Sequence, residues 1–282
     1  MTQQESVTQR PEVSAPEPWS FPEAHTALLA NGLGVVTYDI PGQYVISVRL
    51  AVPMPIEGEP REREGVATIM ARTLDEGTAR YSAEEFAELL ERKGIALGAG
   101  VSESGLVVDV DVSKRNLTEA LDLLSQAVRG PAFLAKEVSR HVKIRLAEID
   151  QERAQPGHRA AIEFIATYFD ADERASRPTA GTKETVSAIT PKDLAAFHAA
   201  NVVPSGATIV VAGDLSGLDV VSEVERALGS WSEASAELVE PREAVRAADA
   251  GRIVFVDRPG SVQTEFYVGC PGPDRRVEGG WA

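Results

Sequence analysis

Apolar positions along this chain fall into two periods, and the first signals are strands. Tyr44, Ile46, Val48, Leu50 and Val52 alternate with Val45, Ser47, Arg49 and Ala51, so one face of an extended segment is strongly apolar. Leu106, Val108, Val110 and Val112 alternate with Val107, Asp109 and Asp111 in the same way. Val35–Ile40 is expected as the hairpin mate of the first of these, joined through Pro41-Gly42. Ala207–Ala212 and Ile253–Val256 are short apolar runs of the kind found in buried strands.

Helical periods separate them. Ser82 and Glu85 have capping-box spacing, Phe86, Leu89 and Leu90 form a stripe, and Gly94 ends it. Asn116 with Glu119 is expected to open a second helix, with Leu117, Ala120, Leu121 and Leu124 on one face. A long helical stretch runs from about Ala135 to Phe169 and should break at Pro156-Gly157. Thr190-Pro191 is an N-cap followed by proline at the first helical position. Ser216 is expected to open a helix that ends at Gly229. Strands and helices mix without strict alternation, so the fold class is α+β with a largely antiparallel sheet packed with helices.

An internal repeat suggests the domain plan. With a constant offset, Val35–Pro55 (VVTYDIPGQYVISVRLAVPMP) matches Ile253–Pro273 (IVFVDRPGSVQTEFYVGCPGP). Asp39, Pro41, Gly42, Pro53 and Pro55 meet Asp257, Pro259, Gly260, Pro271 and Pro273. The expected division is a disordered tail over 1–22, rich in Gln, Glu, Ser and Pro, then a first domain over 23–230. An acidic, Ala-rich linker over 231–250 follows, and 251–282 is the first hairpin of a truncated second repeat.

Composition narrows the chemistry. The 282 residues carry 28 Lys+Arg against 43 Asp+Glu, a formal charge of −15, which disfavours nucleic acid and anionic membrane as partners. No run of 18 apolar residues and no leader-like segment occurs, so a cytoplasmic protein is expected. A single cysteine, Cys270, rules out an internal disulfide and any multi-thiolate zinc site. The four histidines, His25, His141, His158 and His198, are too widely spaced for two to share a helix face at i, i+4.

Several stretches in order resemble the pitrilysin/insulinase family of zinc peptidases, in its two-repeat bacterial and mitochondrial-processing-peptidase-like form. They are Leu29-Ala-Asn-Gly-Leu33, Gly65-Val-Ala-Thr-Ile-Met-Ala-Arg-Thr-Leu-Asp-Glu-Gly-Thr78, Ser82–Gly94, Ala180-Gly-Thr-Lys-Glu184, Ile189-Thr-Pro-Lys-Asp-Leu194, Val210-Val-Ala-Gly-Asp214 and Val256-Asp-Arg-Pro-Gly-Ser-Val-Gln263. The resemblance implies one full metallopeptidase-type repeat and the start of a second. It also implies a helix from Gly65 carrying His-x-x-Glu-His, in which two histidines hold zinc and the glutamate polarises water.

The residues on that helix depart from the motif. Aligned on Gly65 and Gly77-Thr78, its positions are Thr68, Ala71 and Arg72. A threonine hydroxyl is a poor zinc ligand, alanine takes no proton, and arginine stays protonated. The resemblance implies a third ligand, a glutamate on the long helix; Glu148 lies near that place, but an ungapped alignment puts Leu146 there, so Glu148 is not assigned. Arg72 is either a solvated or salt-bridged residue of an amphipathic helix, or a cavity residue that meets a peptide carboxylate. Residues 95–101 fall where the family pairs an edge strand with extended substrate, although Leu97-Gly98-Ala99 replaces a usual asparagine.

The expected function is therefore a non-catalytic subunit. It would bind peptides and form a heterodimer with a homologous catalytic subunit, with no cofactor of its own and zinc only in the partner. The acidic balance favours a basic peptide as cargo. Two alternatives stand beside it: an active metallopeptidase working through an unrecognised site, and a purely structural subunit.

Overall fold

A computed structural model describes residues 20–102, 104–232, 244–248, 251 and 253–272. Six strands form one sheet: β1 (Ala24–Leu28), β2 (Gly34–Asp39), β3 (Val45–Pro53), β4 (Ile95–Ser102), β5 (Gly105–Ser113) and β6 (Thr208–Gly213). The eight described α-helices are α1 (Val66–Ala71), α2 (Ala83–Lys93), α3 (Leu117–Arg129), α4 (Ala135–Ala154), α5 (Pro156–Tyr168), α6 (Lys183–Ser187), α7 (Pro191–Asn201) and α8 (Val220–Leu228). The fold is α+β, and the sheet is antiparallel except where β2 meets β6.

The strand order is β1-β2-β6-β3-β5-β4. The expected β2–β3 hairpin is not formed. β6, more than 150 residues downstream, lies between the two, parallel to β2 and antiparallel to β3. The Pro41-Gly42 turn is a wide bridge over its end. Ile40 donates its N–H to Gly213 O, Gln43 O accepts from Asp214 N, and Gly42 N donates to Asp214 Oδ2 (2.9 Å). Lys114 Nζ, just past β5, reaches Asp214 Oδ1 at 2.7 Å and closes the clamp.

The alternation in β3 and β5 sorts the sheet faces. Ile46, Val48, Leu50 and Val52 enter the core beside Leu106, Val108, Val110 and Val112. On the opposite face Arg49 makes a two-point hydrogen bond to Asp109, and Ser47 donates to Asp111. One face is packed and the other is polar, as an antiparallel sheet permits.

Helix ends follow the sequence where the cap is local. Ser82 and Glu85 form the capping box of α2, Gly94 takes the left-handed C-cap, Thr190 caps α7, and Pro156 restarts the long helix as α5. Two expected caps fail because a tertiary partner competes. Asn116 does not cap α3; its Nδ2 donates to Lys93 O (2.7 Å) and ties the C-terminus of α2 to α3. The Ser216 hydroxyl accepts from Lys114 Nζ (2.9 Å) and donates to Asp214, and α8 starts at Val220 with Asp219 as its cap.

The outer parts of the chain differ from expectation in detail. Residues 1–19 of the expected tail lie outside the described residues. Trp231, placed in the linker, is fully buried, and its carbonyl accepts from Asn31 Nδ2. Residues 233–243 of the linker lie outside the described residues, while Val245–Ala247 pairs with the end of α5 and the residues just after it. Ile253–Val256, expected as a buried strand, forms no ladder, and Phe255 is 91% exposed. No described strand lies beside it to cover an apolar face.

A buried ion network fixes the start of α1. The Glu59 side chain is 0% exposed. Its Oε1 accepts from Gly65 N and Ala67 N (3.0 Å each), and Arg174 Nη2 donates to Oε2 (2.8 Å). Arg174 also donates to the carbonyls of Arg177, Pro178 and Thr179, and Arg177 pairs with buried Glu64. The chain passes so close here that a Cβ on Gly181 would lie 2.2 Å from Glu64 O; Gly65 faces Ala180 with φ 95°. Only glycine fits such an approach in the left-handed region.

Removing one partner of a buried pair leaves a charge without compensation and costs about 3–5 kcal/mol. Glu59→Ala should lose that much in urea unfolding, and Arg174→Met a similar amount. A loss of under about 1 kcal/mol, the scale of an exposed pair, would show that the network does not anchor α1.

Candidate functional site

Thr68, Ala71 and Arg72 lie together on α1 and its C-terminal residue, and α1 packs against β4, α4 and α7. Thr68 and Arg72 are partly exposed and share a face at i, i+4 spacing. Ala71 is 2% exposed within the core cluster. A glutamate there would have to displace packed side chains, which is itself destabilising.

Arg72 is ion-paired. Its Nη1 donates to Glu148 Oε1 at 2.9 Å, from α1 across to α4. The other carboxylate oxygen of Glu148 accepts from Arg145 Nη1 (3.1 Å). Arg145 makes a two-point contact with Glu152 (2.6 and 3.0 Å) and donates Nε to Ala180 O (3.2 Å). Thus Arg72, Glu148, Arg145 and Glu152 form one alternating chain of charge, anchored on the Ala180–Gly181 loop. Leu146, the other position weighed on the long helix, is partly buried and packs against the core.

The charges set the titration. The hydrogen bond from Arg72 holds the Glu148 carboxyl below the ordinary glutamate value; burial opposes it, and the hydrogen bond from Arg145 adds to the lowering. One turn further along, His141 Nε2 lies 2.9 Å from Glu76 Oε1, and Arg140 pairs with the same carboxylate. Beside them burial pushes the Asp75 carboxyl up, and the Glu76 charge adds to that.

The remaining candidates are dispersed. His25 and His158 are exposed, and Cys270 is exposed. His198 is buried, with Nε2 2.7 Å from Val128 O. Among the described residues no group of three or more His, Cys, Asp or Glu side chains could hold a metal ion. The residues at the α1–α4 contact do not fit zinc either, since a guanidinium occupies the carboxylate that would be left to bind it. β4, over residues 95–102, is an edge strand next to α1, paired only with β5 among the described residues.

A family model described as Insulinase (Peptidase family M16) matches residues 35–183, and the Peptidase M16 inactive domain matches residues 188–279. The chain belongs to the insulinase family. An uncharacterized zinc protease of Mycobacterium leprae is 26% identical over 254 residues, 90% of this chain and 57% of that protein. The Helicobacter pylori protein named non-peptidase homolog YmxG is 25% identical over 207 residues, 73% of this chain and 47% of its own. The chain spans little more than half the length of the curated relatives it matches. The crystal structure of a peptidase M16 inactive domain from Pseudomonas fluorescens superposes with TM-score 0.73 at 22% identity, over 79% of this chain and 54% of that one. Pitrilysin superposes with TM-score 0.71 at 21% identity, over 82% of this chain and 25% of its own. Both show the fold. Among the described residues no helix is long and apolar enough to cross a membrane.

The Arg72–Glu148 contact gives a pH test. A carboxyl whose folded pKa is depressed contributes stability that is full above its ordinary value, 4.5 for glutamate, and is lost as pH falls through the folded value. Arg72→Met should therefore lower the urea midpoint at neutral pH, and its gap from the unmodified chain should narrow in acid. A gap of equal size at both pH values would mean that the loss comes from packing of the arginine stem.

Proposed function

We propose that this chain is a non-hydrolytic member of the insulinase family that binds peptides for a homologous catalytic subunit. The observation that carries this reading is the Arg72–Glu148 ion pair. Where the family resemblance expects a dication between two histidines and a glutamate, this chain has a monovalent guanidinium covalently in place. Arg145 on the second oxygen of Glu148 adds another positive charge and makes the place still less hospitable to a metal. Ala71 supplies no general base. The Helicobacter pylori relative named a non-peptidase homolog is consistent with this reading. The names of the mycobacterial relatives point to proteolysis, but they bear on this chain only through residues it does not share with the expected motif.

The peptide-binding part of the proposal rests on β4. Its outer edge is unpaired and lies beside α1, so an extended peptide could add as a further strand through main-chain hydrogen bonds. Gly98 and Gly100 leave open space next to their backbone, which suits close approach of a second strand.

The repeat reading belongs here too. In the first copy β2 and β3 do not touch, because β6 separates them. A matching segment over 253–272 would need a comparable strand between its two arms, and none lies there among the described residues. The exposure of Val262, Phe266 and Val268 follows from that gap. Ending the chain after residue 250 should leave the melting temperature of the first domain unchanged; a drop of several degrees would make residues 253–272 part of that domain.

The functional reading is tested by metal analysis and by co-expression. The purified chain should hold well under one zinc per molecule and cleave no peptide alone. Co-expressed with a homologue carrying His-x-x-Glu-His, it should co-elute and lower the KM of that enzyme for peptides. A stoichiometric zinc, or a homologue fully active alone that never co-elutes, would refute it.

A further inference from the structure

A second surface, away from α1, has a charge opposite to that of the chain as a whole. A groove of about 700 Å3 lies between α2, α3 and α8 and the turn at Thr78–Tyr81. Four of its wall residues are cations: Arg80, Lys93, Arg129 and Arg226. Two are neutralised locally, Lys93 by Glu119, and Arg226 by Asp122 and Glu223. The other two are not. Among the described residues Arg129 donates only to the hydroxyl and carbonyl of Ser230, and the Arg80 side chain, exposed at the rim, forms no ion pair. Gln126, also in the wall, has a covered amide oxygen that accepts no hydrogen bond among the described residues.

We infer that this groove binds an acidic peptide segment of another protein. Two guanidiniums without counter-charge among the described residues, in a chain of net charge −15, are a local site for carboxylates, which form strong two-point hydrogen bonds with arginine. The orphaned acceptor selects between anions. Phosphate or sulfate brings further acceptors, whereas a peptide brings carboxylates and backbone N–H donors together. A turn of the Gln126 side chain presents its oxygen to such an N–H, which satisfies a polar atom that is otherwise costly to leave unpaired. Tyr81 and Leu89, in the same wall, offer apolar contact for a side chain between two acidic ones. The inference does not rest on the reading of α1.

The probe is the peptide acetyl-Glu-Glu-Leu-Glu-Glu-amide, with its all-glutamine twin as control, titrated into the whole chain and followed by calorimetry and chemical-shift mapping. The glutamate peptide should bind, shift signals of residues in the groove, and weaken as salt is raised. The glutamine twin should bind at least about tenfold more weakly, the equivalent of ~1.4 kcal/mol. Arg80→Ser with Arg129→Gln should reduce affinity by a similar factor, and Gln126→Leu by a smaller one. Should the loss of the Arg129–Ser230 contact unfold the double variant, Arg80→Ser alone, at an exposed position, must still weaken binding. No binding, equal binding of the two peptides, or unchanged affinity in the Arg80 variant overturns the proposal. Displacement by inorganic phosphate at the same concentration as the peptide also overturns it, leaving a simple anion patch.

Discussion

A carboxylate with no exposed surface organises the half of the molecule that carries the candidate site. Glu59 satisfies the first N–H groups of α1, which have no partner inside the helix, and draws Arg174 into the interior. Arg174 in turn binds three successive carbonyls of the loop before α6, and Arg145 takes the fourth, that of Ala180. Two arginines thus meet four successive backbone carbonyls, from Arg177 to Ala180. The positions of α1 and α4 relative to each other, and hence the contact of Arg72 with Glu148, follow from this arrangement.

Charge therefore has two different uses in one small region. The Glu59–Arg174 pair is fully desolvated, and its partners over-satisfy each other with hydrogen bonds. The Arg72–Glu148 pair is about one third exposed on each side. Solvent screens it, so its value lies in geometry more than in energy. It joins α1 to α4 on the face of α1 that also carries Thr68. The edge strand β4 stays aligned beside α1 because both pack on the same core residues.

What the sequence revealed depended on distance along the chain. The α2 and α7 caps, the break at Pro156 and the alternation of β3 and β5 all rest on neighbours within a few residues, and each was readable. The antiparallel α+β class followed from them. The failures share one cause. β2 and β3 were assigned to each other because they are adjacent in sequence, and a strand from far downstream displaced that pairing. Asn116 and Ser216 have good capping side chains, but Lys93 O and Lys114 Nζ engage them instead. At the candidate site, Thr68, Ala71 and Arg72 were identifiable by alignment within one helix. The partnership of Arg72 with Glu148, 76 residues apart, has no periodic signature, and neither does that of Glu59 with Arg174.

The central position of β6 also has a consequence for synthesis. Pro53 leaves the ribosome 160 residues before Gly213. At roughly 5–20 residues per second, on the order of 10–30 s passes before the strand that joins the two halves of the sheet exists. During that time the slot between β2 and β3, whose facing edges pair with β6 in the folded chain, has no strand to fill it. Any extended segment from another nascent chain meets the same hydrogen-bonding pattern as β6. The yield of folded protein in a cell thus depends on how well that slot is shielded while the helices between β5 and β6 are still being made.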